Sequence, residues 1–311
     1  MEKIEPMEPI LTEKVEQREN FIHQIKWDGI RGMTWMKDGQ LRIFNKSGRE
    51  RTGFYPEVEQ LPLLLRTKEA VVDGELVVFE GLHPSFQSVL KRDRIKSRQN
   101  LNLYVKQYPV RYILFDCMVF DGWDMRKQPL TERLEQLRSA FTPDQNIIVT
   151  DDFSDGVALF DFTKEKNYEG IVSKDQNSAY ISGKKHDSWF KTKNQKILLA
   201  VVLGVYLKQG LPNSLILGVY DQGDLVYVGN VATGLKESDK KMICEFTKQL
   251  KQEQSPLKNF EPNSPLWWFK PVLTCWVRFM EWTSEGVMRH PVLLGFSDSP
   301  AKDAILEEQN L

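Results

Sequence analysis

"HQIKWDGIRG", residues 23–32, decides how this chain is read. A lysine, Lys26, sits among the apolar residues Ile25, Trp27 and Ile30, and Asp28, Gly29 and Arg31 follow within five positions. The plain reading is an outward-facing lysine on a β strand. "HQIKWDGIRGMTWM" (23–36) and "QLRIFNKSG" (40–48) alternate around "KDG" (37–39), which predicts a hairpin with Lys26 on its first strand. A nucleophilic Lys26 would need partners elsewhere in the chain.

Four later stretches supply them. "DGE" (73–75) puts two carboxylates on one side of a β-rich run, "AVVDGELVVF" (70–79), because strand side chains alternate. "FD" (115–116) sets an aromatic beside an acid within the apolar run 110–122. "EGIVSK" (169–174) offers a carboxylate before a turn glycine and then a lysine. "WFKTK" (189–193) spaces Lys191 and Lys193 two apart, on one side. Singly these read as a hairpin, core packing and surface lysines. Jointly they describe a site for a nucleoside triphosphate and a divalent metal. With only four histidines, metal chemistry would rest on carboxylates.

The 311 residues are enough for two domains. Up to "KNQK" (193–196) strands alternate with short helices, such as "PLTERLEQLRSAF" (129–141), with Thr131 as N-cap and Leu130, Leu134, Leu137 and Phe141 on one face. Beyond it come short β runs and one helix, with Ser238 as N-cap and Met242, Phe246 and Leu250 on one face. That mixture predicts a small β-barrel over residues 196–311, after a first domain over 1–195. Cys117, Cys244 and Cys275 are odd in number and scattered, which argues against disulfides and zinc and for a reducing cytoplasm. The N-terminus has no signal-peptide core, and no apolar run approaches the length of a membrane helix. The net charge of −1 does not announce a nucleic-acid partner, so one would need a local basic face; "KRDRIKSR" (91–98) is the candidate.

In their order these motifs resemble the ATP-dependent DNA ligases of the covalent nucleotidyltransferase superfamily: "KWDGIR" (26–31), "NKSG" (45–48), "DGE", "FD", "EGIVSK" and "WFKTK". The resemblance continues through "SLILGVYDQGDLVYVGNVATGL" and "FMEWTSEGVMRHPVLLGF", similar to the oligonucleotide-binding (OB) domain in the ligase module of bacterial end-joining ligases. It implies an α+β nucleotidyltransferase (ATP-grasp-like adenylation) domain followed by an OB-fold β-barrel. It also implies three steps: a lysine attacks ATP, AMP passes to a DNA 5′-phosphate, and a 3′-hydroxyl displaces AMP.

The roles follow from that resemblance. Lys26 would be the nucleophile, with its pKa lowered by burial and a nearby cation. Mg²⁺ or Mn²⁺ would sit on Glu169 first, then Asp28 and Glu75, although Glu75 could instead hold a ribose hydroxyl. Phe115 would stack on adenine. Ile25, Arg31, Lys46 and Lys174 would complete the nucleotide site. Lys191 and Lys193 would grip the α-phosphate. Lys91, Arg92, Arg94, Lys184 and Lys185 would hold nicked duplex DNA. A monomer of minimal, two-domain form is expected, with a Ku-like end-binding protein as the partner that end joining implies. Repair, end joining and phage or prophage replication are not separated.

Three positions depart from the family pattern. Lys46 stands for the usual arginine of the second motif, which loses the bidentate fork. Gln24 stands where an acid is common. Ser297 in "LLGFSDSPAKDA" stands where an arginine is expected, with Lys302 or Arg289 as substitutes; this bears on self-adenylation. An RNA ligase, a capping-type nucleotidyltransferase and a nick-binding module with weak adenylation are the alternatives.

Overall fold

The computed structural model describes residues 4–258, 260–283 and 285–309, with the backbone alone of Lys248. The chain divides after Asn194 into two compact units.

The first unit holds two sheets. One runs in the order Glu8–Thr12, Lys185–Lys193, Gly170–Asp175, Phe21–Ile25. The other has Gln40–Asn45, Ile30–Lys37, Glu69–Glu80 and Val110–Phe120 as its antiparallel body. The long expected strand through Lys26 is therefore broken. Phe21–Ile25 belongs to the first sheet and Ile30–Lys37 to the second, and residues 26–29 carry the chain across. Gly29 permits that crossing: a Cβ there would lie 2.5 Å from the Leu76 carbonyl oxygen and 2.7 Å from Glu75 Cγ. The hairpin around Asp38 and Gly39 forms as expected.

Gly170 has a comparable duty. Its φ of +137° and the Thr192 carbonyl oxygen, 2.1 Å from any added Cβ, exclude a side chain. Glu169 is thereby delivered at the start of the strand Gly170–Asp175, whose neighbour ends at Lys193.

The second sheet buries its core around Val72, Leu76, Tyr112, Leu114 and Leu137. Leu137 comes from the helix Leu130–Ala140, which buries Leu130 and Leu134 as well. Thr131 does not cap this helix; Pro129 holds the cap position, and Thr131 N donates to the Gln176 carbonyl.

In the second unit the strand Lys196–Lys208 pairs with Leu211–Asp221 on one side. On the other it pairs with Thr274–Phe279 and then Leu266–Phe269. Val292–Ser297 continues the sheet beyond Thr274–Phe279. The helix Glu237–Leu250 starts at Lys236, not Ser238: Lys236 N donates to the Asp239 carboxylate at 2.8 Å. It packs on the core through Ile243 and, as expected, Leu250, while Phe246 is exposed. Among the described residues no helix is long and apolar enough to cross a membrane.

Candidate active site

The crossing at residues 26–29 opens onto a cavity of about 340 Å³ in the first unit, lined among others by Lys26, Glu75, Phe115, Lys174, Trp189 and Lys191. Ile25, Arg31 and Lys46 also reach it. Of the residues expected on the nucleotide, Ile25, Lys26, Arg31, Lys46, Glu75, Phe115, Lys174 and Lys191 all line this cavity, whereas Lys193 is not part of its lining.

Phe115 reaches the cavity through a β-bulge. Asp73 pairs with Asp116 and Gly74 with Leu114, so Phe115 is the extra residue, the kind of irregularity that re-aims a side chain. Asp116 turns inside instead, where both its oxygens accept from Arg133, at 2.7 and 2.9 Å, with neither side chain exposed. Trp189 packs edge-on to Phe115, centroids 6.4 Å apart. Lys174 Nζ lies 4.5 Å over the Phe115 ring and 4.2 Å over Trp189, and donates to the Phe115 carbonyl at 3.0 Å. Burial pushes the Lys174 ammonium down to about 8.

Arg31 is largely committed within the protein. Nε and Nη2 hold Asp73 at 2.9 and 2.5 Å, and Nη1 donates to the Met7 carbonyl at 2.6 Å. What it offers the cavity is mainly its flat face, 5.2 Å from the Phe115 centroid. Lys46, at the margin, pairs with Glu8 at 2.8 Å.

Lys26 Nζ donates to Glu169 Oε2 at 2.5 Å, and Lys193 Nζ meets the other oxygen at 2.7 Å. Burial pulls the Lys26 ammonium down. Glu169, Glu75 and Asp28 together outweigh burial and hold it above the ordinary lysine value. The expected depression rests on burial and a nearby cation together; burial by itself does not achieve it, because three carboxylates oppose it. Lys191 does sit low, through burial and repulsion from Lys26 and Lys193.

Among the described residues no three His, Cys, Asp or Glu side chains converge as a metal cage. Glu169, expected first as metal ligand, has a lysine on each oxygen. Glu75 differs. It faces the cavity, has no hydrogen-bond donor among the described residues, and is pushed up to about 8, chiefly by burial. One such hard oxygen, with Glu169 beside Lys26, fits Mg²⁺, which usually keeps waters and substrate phosphates as its other ligands. Asp28 acts on Lys26 but does not line the cavity.

Of the basic residues expected on DNA, Lys91, Arg94, Lys184 and Lys185 are exposed. Arg92 is not: it is 0% exposed, paired with Glu57 at 3.0 Å and donating to the Phe54 carbonyl. It braces the helix Phe86–Asp93 from inside, which removes it from any DNA face. In the second unit the Ser297 hydroxyl accepts from Ser299 N, Arg289 pairs with Glu281, and Lys302 lies in the short turn Ala301–Asp303. Sequence reasoning gave no role to Glu8, Thr150 or Trp189, which all line the cavity. Only Trp189 carried a signal, the aromatic within "WFKTK".

These motifs, on two sheets joined at a lysine, define a nucleotidyltransferase-type site. The family model "ATP dependent DNA ligase domain" matches residues 4–193, and "ATP dependent DNA ligase C terminal region" matches 208–299. The chain belongs to the ATP-dependent DNA ligase family, with an adenylation domain followed by an OB-fold domain. It is 29% identical over 297 residues to the "Multifunctional non-homologous end joining protein LigD" of Mycolicibacterium smegmatis, covering 91% of this chain and 37% of that one. The chain thus spans little more than a third of that relative. It is 32% identical over 195 residues to the "SPbeta prophage-derived DNA ligase-like protein LigB" of Bacillus subtilis, covering 62% of this chain and 68% of that one. Among solved structures it is similar to "mycobacterial DNA ligase D complexed with ATP and MES", with 26% identity, 97% of each chain covered and a TM-score of 0.54.

Proposed function

We propose that this chain is an ATP-dependent DNA ligase that seals nicks in duplex DNA. The observation that carries the reading is Lys26 in the wall of an aromatic- and lysine-lined cavity, tied through Glu169 to Lys193.

In the first step Lys26 Nζ, an ammonium in the resting protein, gives one proton to water, and the lone pair so freed attacks the α-phosphorus of ATP. A P–N bond forms, the bond to pyrophosphate breaks, and the second Nζ proton passes to water. Lys191 and Lys193 stabilise charge on the α-phosphate. Phe115 and Trp189 hold the base in place. Glu75 and Glu169 would hold a divalent cation, Mg²⁺ or Mn²⁺, which supplies neutralisation of phosphate charge. Then a DNA 5′-phosphate oxygen takes AMP from Lys26, and a 3′-hydroxyl oxygen attacks that phosphate and releases AMP.

The exposed residues Lys91, Arg94, Lys184 and Lys185 would bind phosphates of the nicked duplex. The likeness to end-joining proteins supports work on broken DNA ends. A Ku-like end-binding partner, a monomeric state and a cytoplasmic setting go with that reading as further parts of the proposal.

The test is incubation with ATP and Mg²⁺ and mapping of covalent AMP by mass spectrometry. An adduct on Lys26, and sealing of nicked DNA by the adenylated protein, is expected. A protein that binds nicked DNA yet never carries AMP on Lys26 would refute the reading. Better sealing of nicked RNA, or an adduct from GTP alone, would move it to the RNA ligases or capping enzymes.

A further inference from the structure

Glu8 opens the first strand of the unit, and its backbone is closely fixed. Glu8 N donates to the Lys184 carbonyl at 2.9 Å. Met7, just before it, is held through both its N–H and its carbonyl. Met7 N donates to the Tyr180 hydroxyl at 3.0 Å, and the Met7 carbonyl accepts from Arg31 Nη1 at 2.6 Å. Tyr180 is buried and donates to Asp73 at 2.7 Å. From this anchored start the Glu8 carboxylate reaches Lys46 Nζ, 2.8 Å away. The turn that carries Lys46 is fixed as well. Asn45 Oδ1 accepts from the Ser47 hydroxyl at 2.8 Å and from Arg49 N at 3.0 Å.

The two side chains are freer than the backbones that carry them. Both residues line the nucleotide cavity, and both also line a second cavity of about 220 Å³. The Lys46 side chain is 56% exposed. An ion pair so open to solvent parts at small cost.

Glu8 also answers more than one lysine. Its carboxyl is held below the ordinary range by Lys46 first, then by Lys185 and Lys191, against the opposing effect of burial. Lys191, in the same cavity, is repelled by Lys26, Lys193 and Lys46, whereas Glu8 attracts it. One carboxylate is thus a shared counter-charge for three lysines. A phosphate group, with more oxygens and more charge, answers that cluster better than a carboxylate does.

We propose that Glu8 is an autoinhibitory stand-in for a phosphate group: it holds the lysines of this cavity until a phosphate displaces it, and so sets how tightly the site grips phosphate. The proposal rests on the reading of the cavity as a nucleotide site. An arriving phosphate must first release Lys46 and Lys191 from Glu8, and only the surplus appears as affinity. The chemistry required is a phosphate group at the end of a chain. Its two sources are the triphosphate of ATP and the 5′-phosphate at a nick.

Binding is measured at equilibrium in EDTA, so that no adduct forms. Adenosine, which brings no phosphate, is the reference for ATP. A nicked duplex with a 5′-hydroxyl is the reference for the same duplex with a 5′-phosphate. Glu8→Gln keeps the shape and removes the charge. The affinity ratio of phosphate ligand to reference should rise about fivefold for the source that the site takes. A rise with ATP alone assigns the lysines to the triphosphate, and a rise with the nick alone assigns them to DNA. Glu8→Asp, one methylene shorter, should move the ratio the same way by less, and carries the test if Glu8→Gln does not fold.

Folded variants with unchanged ratios for both sources overturn the proposal. So does an equal shift of reference and phosphate ligand, which is what a merely structural role of Glu8 would produce. A raised ratio without any adduct on Lys26 in the wild type sustains this proposal and sinks the ligase reading. An adduct in the wild type with unchanged ratios does the reverse. Wild-type protein that binds neither ATP nor nicked DNA overturns both.

Discussion

Lys26 Nζ lies 2.5 Å from Glu169 Oε2, and the same carboxylate reaches Lys193 at 2.7 Å. The nucleophile is thus held charged by a group that Lys193 shares. Lys193→Met leaves Glu169 paired with Lys26 and removes a cation from the α-phosphate. The rate of adduct formation should fall roughly 10²-fold while the fold survives. Quench-flow with labelled ATP measures this; an unchanged rate would remove Lys193 from the chemistry.

Asp116 and Arg133 form a fully buried pair away from the cavity surface. Removing one partner strands a buried charge, so Asp116→Ala should cost about 3–5 kcal/mol. Replacing both with apolar residues of similar size should recover most of the loss. Urea denaturation of the single and double variants tests the coupling, and additive losses would contradict it.

Lys174, pushed down to about 8, gives a pH signature. Between pH 8 and the ordinary lysine value of 10.5 the unfolded chain binds the extra proton. Stability contributed at this site therefore rises with pH across that window, and Lys174→Met should lack the rise. ATP affinity should run the opposite way, falling as pH passes 8 and the ammonium loses its charge. Titrations of ATP binding at pH 7 and 9 for both proteins check it; equal slopes would dismiss Lys174 as the source.

Replacing Lys91, Arg94, Lys184 and Lys185 together should weaken binding to nicked DNA. It should also flatten the salt dependence by ~0.9 log units for each phosphate that is no longer neutralised. Arg92→Ala should instead lower thermal stability and leave the salt slope alone, because its charge is satisfied by Glu57 inside the unit. Electrophoretic shifts at several salt concentrations separate these outcomes.

Much of this was legible in the sequence because the motif residues are set by period and by close approach. The alternation in "DGE" puts Asp73 and Glu75 near one another, and Gly29 and Gly170 mark places where backbone meets backbone. What alternation does not carry is the fate of each charge. Asp73 is sealed against Arg31, whereas Glu75 faces the cavity without a donor among the described residues. Nor does a local pattern reveal that one strand ends at Ile25, just before Lys26, while Ile30 begins another in a different sheet. Gln24 and Thr150, both in the cavity lining, are held by Asp152 and Arg138, which lie more than a hundred residues from Gln24. Only the folded chain brings them together.

The strand Glu8–Thr12 lies parallel beside Lys185–Lys193, and the hydroxyls of Thr12 and Thr192 meet across 180 residues of sequence. The first strand of this unit therefore waits for its last, so one edge of the nucleotide cavity closes late during synthesis on the ribosome. Loss of residues 8–12 would uncover the backbone of Lys185–Lys193 along a whole edge. A chain clipped there should fail by pairing with other copies of itself before it fails by losing catalysis.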